Sequence, residues 1–205
     1  MTTSLRIGLD FDNTLITYDE VFLNLARERG LTGADFLGRK QAIRDAIRLL
    51  PDGELSWQQL QGQVYGKGVA RALMFDGVGS FLKQCRQHNV PVVIISHKTE
   101  FGHHDPERVN LRQAALDWMT AQGFFAEYGI ALENVYFEST RQEKIARIAR
   151  LACTHFVDDL EEVLTDPEFP SGVKRILFSE AGAESIPEPI VVCPTWRDVA
   201  RQVFL

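Results

Sequence analysis

The sequence has little of what marks several large classes of proteins. Its 205 residues include only three cysteines, Cys85, Cys153 and Cys193, and no C-x-x-C pair, so we expect reduced thiols and neither a disulfide scaffold nor a cysteine-based zinc site. No run reaches the roughly 18 apolar residues of a membrane span, and no basic and apolar leader is visible. Repeats and low-complexity tracts are also missing. We therefore expect a cytoplasmic protein without a membrane partner.

Positive charge is also in short supply. Lysine and arginine number 22 against 28 acidic residues, which gives a formal net charge of -6, and the basic residues are scattered along the chain. Binding to nucleic acid depends on lysine and arginine that neutralise phosphates, so we expect no nucleic-acid partner. The hydrophobic share of 45% and the charged share of 24% are typical of a globular protein. The length suits one domain, or one domain with a modest insertion.

Short apolar runs alternate with helical patterns through most of the chain. Because strands that alternate with helices usually form a parallel sheet, the pattern predicts an α/β fold with a doubly wound, mainly parallel, Rossmann-like sheet. A helix should begin at Asp105-Pro106 and continue toward Gln122, and Thr140 with Glu143 has the spacing of a capping box. Thr195 should cap a terminal helix. The strands are expected at residues 6–9, 90–95, 135–137, 155–157, 175–178 and 190–193.

The region 18–72 has no convincing strand. Helical patterns cover residues 21–29, 35–50 and 56–65, with glycine and proline breaks between them. We therefore predict a core domain formed by residues 1–17 and 73–205, and a helical cap of residues 18–72 inserted after the first strand. Six cap residues are candidates for substrate contact, although packing or solvent exposure also explains them: Tyr18, Lys40, Arg44, Trp57, Tyr65 and Lys67.

Two aspartates stand where the first apolar strand ends. Asp10 and Asp12 are separated by one residue, so they begin on the same side of the chain. Carboxylates at the end of a buried strand cost desolvation energy unless a cation compensates. Mg²⁺ is the obvious cation, because it prefers oxygen ligands and is often bound together with substrate phosphate. The alternative is a helix N-cap formed by Asp12 or Thr14.

Two more expected strands end in polar residues at the same edge of the sheet. Ser96 follows the run 90–95, and Asp158 and Asp159 follow the run 155–157. Ligands of parallel sheets bind outside the carboxyl ends of the strands. Lys144 lies in the first turn of the helix that begins at the Thr140 capping box and precedes the run 155–157. A cation in the first turn opposes the helix dipole. Taken singly, Ser96 also fits the start of a loop, and Asp158 and Asp159 fit a helix cap. Lys144 also fits a surface lysine, but the ordered set favours a functional site.

These residues together resemble the haloacid dehalogenase superfamily over nearly the whole chain. The run 10–15 (DFDNTL) is similar to the first motif of the family, and the run 93–96 (VIIS) to the second. Lys144 resembles the lysine of the third motif, and the run 156–159 (FVDD) the acidic fourth motif. The helical insert stands where this family has a C1-type cap. The first motif is highly specific, whereas the second and third mean little alone.

The resemblance implies phosphoryl transfer through a covalent intermediate on Asp10. Asp10 would attack phosphorus, and Asp12 would protonate the leaving oxygen and later activate water. Ser96 and Lys144 would hold the phosphoryl oxygens.

The resemblance also implies a Mg²⁺ site. Asp10, the backbone carbonyl of Asp12 and Asp158 would bind the ion, and Asp159 would support its waters or orient Lys144. The metal would reduce the repulsion between Asp10 and an anionic substrate.

The expected reaction is Mg²⁺-dependent hydrolysis of a small phosphorylated metabolite, with a sugar phosphate favoured. Dehalogenation is not expected, because family members that cleave carbon–halogen bonds generally lack an acid at the position of Asp12. The alternatives are a phosphomutase or phosphotransferase of the same superfamily, and a non-catalytic protein that binds a phosphorylated ligand. A phosphoacceptor signalling domain places its paired acids first and its lysine last, which is not the order found here.

Three further residues are candidates for substrate binding, namely Thr14, His97 and Lys98. Lys98 also competes with Lys144 for the role of phosphoryl ligand, and we prefer Lys144 because it precedes the acidic motif on a capped helix. The adjacent His103 and His104 fit a solvated loop better than a metal site.

Overall fold

The computed structural model describes residues 4–102, 107–182 and 186–205. Its strands are β1 (Ile7–Leu9), β2 (Ile16–Thr17), β3 (Leu73–Met74), β4 (Val92–His97), β5 (Val135–Glu138), β6 (His155–Asp158), β7 (Lys174–Phe178) and β8 (Val191–Cys193). Its α-helices are α1 (Asp19–Glu28), α2 (Lys40–Arg48), α3 (Gly53–Tyr65), α4 (Val78–Gln87), α5 (Leu111–Ala121), α6 (Arg141–Arg150), α7 (Glu161–Leu164) and α8 (Trp196–Phe204). Lys67–Arg71 and Leu132–Asn134 form 3₁₀ helices.

Six strands form one sheet in the order β5-β4-β1-β6-β7-β8, and β2 pairs with β3 in a separate two-stranded sheet. Every neighbouring pair in the large sheet is parallel. The predicted α/β fold with a mainly parallel, Rossmann-like sheet is confirmed. In the central strand, a Cβ atom on Gly8 would lie 2.5 Å from the Phe156 ring of β6. Only glycine permits this close approach.

The central strands are buried on both faces, which explains their continuous apolar sequences. All three residues of β1 and the first five of β4 are buried. Because the strands are parallel, their carboxyl ends meet at one edge of the sheet. Asp10 directly follows β1, Ser96 lies near the end of β4, and Asp158 ends β6.

Two predicted caps are present. The Thr140 hydroxyl accepts a hydrogen bond from the Glu143 N–H at 3.2 Å, and the Glu143 carboxylate accepts one from the Thr140 N–H at 3.0 Å. This capping box starts α6 as expected. The Thr195 hydroxyl accepts from the Asp198 N–H at 3.2 Å and starts α8.

Two predicted helix starts differ from the structure. Asp105 and Pro106 lie outside the described residues, and within the described part the helix begins at Leu111, after Asn110 accepts a hydrogen bond from the Gln113 N–H at 3.0 Å. Asparagine at this position is a good N-cap, which explains the start. The helix predicted for 35–50 begins at Lys40.

The chain divides into two compact units. The first unit consists of Met1–Ile16, Met74–Lys98 and Gln122–Leu205 and contains the six-stranded sheet. The second unit consists of Thr17–Leu73 and Thr99–Ala121. Residues 99–121 thus belong to the second unit and not, as predicted, to the core domain.

Hydrogen bonds within the second unit account for the place of its last segment. The Trp118 indole N–H donates to the Ala72 carbonyl at 2.9 Å, and the Leu111 N–H donates to the Glu100 carbonyl at 2.8 Å. The first bond ties α5 to the end of the Lys67–Arg71 3₁₀ helix.

Aromatic side chains form the core of this second unit. Phe22 of α1 stacks on Trp57 of α3, with ring centroids 5.1 Å apart, and Tyr65 packs edge-on against Tyr18 and Phe22. Ile43 of α2 is also fully buried in the second unit. Among the described residues, no helix combines the length and the apolar character that crossing a bilayer requires.

Candidate active site

A buried charge cluster lies at the carboxyl edge of the sheet. The Lys144 ammonium is 2.6 Å from Asp10 Oδ1 and 2.6 Å from Asp158 Oδ2. All three side chains are almost completely buried. Two carboxyl groups and one ammonium are thus held away from water, and such costly burial of ionisable groups is typical of functional sites.

The local sequence positions each member of this cluster. Asp10 is held because its N–H donates to the Val157 carbonyl of β6 at 2.9 Å. Asn13 has φ of 56°, a left-handed conformation that asparagine tolerates better than most residues, and it turns the chain after Asp12. The capping box at Thr140 fixes the first turn of α6, which carries Lys144.

Burial and charge shift the pKa values of the cluster in opposite ways. Burial raises the pKa of Asp10 to about 7, although Lys144 acts to lower it; the neighbouring Asp158 and Asp12 add to the rise. Burial also opposes the charged form of Lys144, but the carboxylates of Asp10 and Asp158 outweigh burial and raise its pKa above the usual value. Lys144 is therefore a permanent cation, whereas the charge on Asp10 depends on its cationic neighbours.

The two aspartates after β6 have different partners. Asp158 Oδ1 accepts a hydrogen bond from the Leu160 N–H at 3.0 Å, while its other oxygen contacts Lys144. Asp159 Oδ1 accepts a hydrogen bond from the Thr14 hydroxyl at 3.4 Å. Thr14 is fully buried, and the partner of its hydroxyl in this structure is Asp159. Neither aspartate is a side-chain cap of α7.

Ser96 contributes a hydroxyl that has no partner. Its Oγ atom is buried and makes no hydrogen bond to any described residue. A buried polar atom without a partner costs roughly 1–3 kcal/mol, and such groups in native structures call for an explanation. A phosphoryl oxygen at the end of β4 would supply the missing partner.

Lys98 contacts a different carboxylate from the one that Lys144 contacts. Its ammonium is 2.8 Å from Asp12 Oδ2 and 3.1 Å from Asp12 Oδ1, and its side chain is buried. Lys144, by contrast, contacts Asp10 and Asp158, and the role of Lys144 as phosphoryl ligand stays a prediction. This pairing was not predicted from the sequence. The alternation of side chains along a strand could have placed Lys98 on the same side as Ser96, with His97 on the other side, but it does not identify Asp12 as the partner.

The structure does not bring His97 into the cluster. Its ring is exposed, and Nε2 lies 3.0 Å from the Ser139 carbonyl oxygen. No hydrogen bond or ion pair links His97 to the buried aspartates within the described ranges. His103 and His104 lie outside the described residues.

The donor set suits a hard divalent cation. Asp10, Asp158 and Asp159 each offer one carboxylate oxygen, and these three atoms lie within 4.8 Å of one another. Oxygen donors of this kind are those that Mg²⁺ takes in proteins. The side chain of Asp12, by contrast, is paired with Lys98. The group of Asp12 that would bind Mg²⁺ is therefore its backbone carbonyl, as the resemblance implies.

No protein-family model matches the sequence, and no curated protein sequence matches it. Solved structures, in contrast, resemble the fold along its whole length. A haloacid dehalogenase-like hydrolase from Streptococcus pneumoniae gives a TM-score of 0.61 at 13% identity, covering 98% of this chain and 99% of that chain. Protein Tyrosine Kinase A of Mycobacterium tuberculosis gives 0.64 at 14% identity, with both chains fully covered.

An L-2-haloacid dehalogenase is also similar, with a TM-score of 0.55 at 15% identity, covering 99% of this chain and all of that one. These neighbours include hydrolases, a dehalogenase and a protein described as a kinase, so their shared feature is the fold. The chain therefore has the fold of the haloacid dehalogenase superfamily of hydrolases.

Proposed function

We propose that this protein is a Mg²⁺-dependent phosphomonoesterase of the haloacid dehalogenase superfamily that acts on a small phosphorylated metabolite. The observation that carries the proposal is the buried Asp10–Lys144–Asp158 cluster at the same sheet edge as the unpartnered Ser96 hydroxyl. An anion with several oxygens satisfies both features, because it accepts hydrogen bonds from Ser96 and Lys144. A sugar phosphate is the favoured substrate.

Asp10 is the nucleophile in this proposal. Its carboxylate attacks phosphorus and forms an aspartyl-phosphate, which splits one difficult displacement into two easier ones. Asp12 gives a proton to the leaving oxygen and then takes one from the attacking water. To act as the acid, Asp12 must carry a proton in the substrate complex. Lys98, whose ammonium is 2.8 Å from Asp12 Oδ2 in the structure, holds this side chain in a fixed orientation.

Ser96 and Lys144 stabilise the charge that develops on the phosphoryl oxygens. Asp10, Asp158, Asp159 and the backbone carbonyl of Asp12 are the groups that would hold Mg²⁺. The ion, when bound, neutralises negative charge between Asp10 and an anionic substrate. Uncatalysed phosphate-monoester hydrolysis needs up to ~10²¹-fold acceleration, so these groups must act together.

Asp12 separates the proposed reaction from dehalogenation, which one of the structural neighbours performs by its name. Cleavage of a carbon–halogen bond releases halide and needs no acid for the leaving group. The alcohol part of a phosphate ester leaves as an alkoxide, a poor leaving group, and the carboxyl group of Asp12, when it is protonated, supplies the proton that this leaving group needs. This favours a phosphate ester over a haloacid.

The test is phosphate release from a panel of phosphorylated metabolites, with Mg²⁺ or EDTA, by the wild type and by Asp10→Asn. We expect Mg²⁺-dependent release that the substitution abolishes, since it removes the nucleophile. Near wild-type release by Asp10→Asn contradicts the proposal, and so does halide release from 2-haloacids without any phosphatase activity. Transfer of phosphate to a second position or acceptor without release identifies a phosphomutase or phosphotransferase instead.

A further inference from the structure

The second unit contains a cavity of its own. The cavity has a volume of about 640 Å³, and every residue that lines it belongs to this unit. Sites for small organic molecules commonly have volumes of about 300–1,000 Å³. The size is therefore sufficient for a ring compound with a charged substituent.

One wall of the cavity is basic. Lys40, Arg44 and Arg48 line it, and they are spaced four residues apart on α2, so they share one face of the helix. The adjoining stripe of the helix carries Ile43 and Ile47, which are buried. The basic residues are scattered along the sequence, but the helix gathers these three on one surface.

The other wall is aromatic and amide-bearing. Trp57, Gln61 and Tyr65 are spaced four residues apart on α3 and also line the cavity. Trp57 is fixed by its stack on Phe22, and Tyr65 by edge-on contacts with Tyr18 and Phe22. A rigid aromatic wall favours a flat or apolar ring as the ligand surface.

The charge of the lining suits a doubly charged anion. Its three cations face a single carboxylate, Glu54, which leaves a net charge of +2. Glu54 is paired with Arg48 at 2.7 Å, and the hydrogen bond from Arg48 holds the pKa of Glu54 below its usual value. Arg48 is thus occupied, whereas the only hydrogen bond that the Arg44 side chain makes among the described residues runs from Nε to Asp45. The terminal nitrogens of Arg44 remain as donors for a ligand.

We propose that this cavity binds an organic phosphate that carries a ring, with the phosphate against Lys40 and Arg44 of α2 and the ring against Trp57 and Tyr65 of α3. A phosphate monoester carries a charge of about −1.5 to −2 at neutral pH, which matches the lining. Arginine binds phosphate through two parallel hydrogen bonds, so Arg44 is the main anchor. This binding needs no residue of the Asp10 cluster and does not depend on the proposed phosphatase activity.

Calorimetric titration of the full chain in EDTA tests the proposal, with phenyl phosphate, inorganic phosphate and phenol as probes. We expect phenyl phosphate to bind at least about tenfold more tightly than either half-probe, a difference that corresponds to about 1.4 kcal/mol. Arg44→Gln should weaken its binding by at least about tenfold. Arg150→Gln, at an exposed arginine of α6, is the matched control and should leave binding unchanged.

Equal affinity of the wild type and Arg44→Gln for phenyl phosphate overturns the proposal, as does binding no tighter than that of inorganic phosphate. With Mg²⁺ added, phenyl phosphate that is hydrolysed with the same KM by the wild type and by Arg44→Gln, or is not hydrolysed at all, shows that this site is separate from the site of hydrolysis, and both results uphold the proposal. Loss of turnover in Asp10→Asn leaves this binding intact, so the two proposals fail independently.

Discussion

The two edges of the parallel sheet treat their polar side chains in opposite ways. At the carboxyl edge, Asp10, Lys144 and Asp158 bury three charges together, and the Ser96 hydroxyl has no partner among the described residues. Such an arrangement does not maximise stability. Buried ion pairs often stabilise less than apolar residues of similar volume, and an unsatisfied hydroxyl is a cost.

At the amino edge, polar side chains close the ends of the strands. The Thr154 hydroxyl accepts from the Arg6 N–H and donates to the Arg6 carbonyl, each at 3.0 Å. The Arg6 guanidinium donates to the Leu151 carbonyl at 2.8 Å, and the Lys174 ammonium to the Gln202 carbonyl at 2.9 Å. These bonds tie polar side chains to backbone groups next to the starts of the strands. The comparison indicates that the polar groups of the amino edge serve stability, whereas those of the carboxyl edge carry a stability cost that the proposed function explains.

The largest expected effect comes from removing the buried ammonium. Lys144→Met leaves the carboxylates of Asp10 and Asp158 buried side by side without a cation, which should destabilise the protein by about 3–5 kcal/mol. Urea denaturation in EDTA measures the change. Lys174→Met, at the amino edge, is the matched control and should cost no more than about 1 kcal/mol, the typical value of one hydrogen bond. Equal losses at both edges would contradict the comparison.

The two hydroxyls separate function from stability. Ser96→Ala should lower turnover by roughly 10²–10³-fold, as loss of one donor to a developing oxyanion does, and should leave stability unchanged or slightly higher. Thr154→Val should do the reverse, with a loss of about 1–2 kcal/mol in stability and normal turnover. Steady-state kinetics and urea denaturation on both variants give the answer. A Ser96→Ala protein with full activity would remove Ser96 from the site.

The next largest effect is stabilisation by Mg²⁺, which should depend on the carboxyl edge of the sheet. If Asp10, Asp158 and Asp159 bind Mg²⁺, the ion should stabilise the folded protein by about 2.7 kcal/mol at 100 times its Kd. Thermal unfolding with and without Mg²⁺ measures this effect. Asp158→Asn should abolish it, whereas Glu133→Gln, at an exposed acid of the same unit, should retain it. A shift that survives in Asp158→Asn would place the ion elsewhere.

The carboxyl edge can be predicted well from the sequence because the sequence signals that define it are local. Apolar strands followed at once by Asp10 or Asp158 place these residues at one edge of a parallel sheet, and the capping box at Thr140 fixes where Lys144 lies on α6. These inferences need only the direction of the strands and the start of a helix.

Other features depend on contacts between distant residues. The choice of Asp12 as the partner of Lys98, 86 positions away, follows from the fold and not from any local pattern. The assignment of residues 99–121 to the helical unit depends likewise on the bond from Trp118 to the Ala72 carbonyl. The spacing of Lys40, Arg44 and Arg48 was visible, but that they line a cavity follows only from the packing of α2 beside α3.

The smallest expected effect concerns the titration of the amino edge. Burial, and then the charge of Lys174, lower the pKa of His155 below its usual value of 6.5. The folded state therefore binds a proton at His155 less readily than the unfolded chain does. The stability that neutral His155 contributes is fully present above pH 6.5 and is lost as pH falls through the folded-state pKa. Between pH 7.5 and pH 5.5, urea denaturation should show a larger loss of stability in the wild type than in His155→Gln, since glutamine does not titrate. Identical losses in both proteins would show that the titration behind acid sensitivity lies elsewhere, and a carboxyl-edge group would then be the place to look.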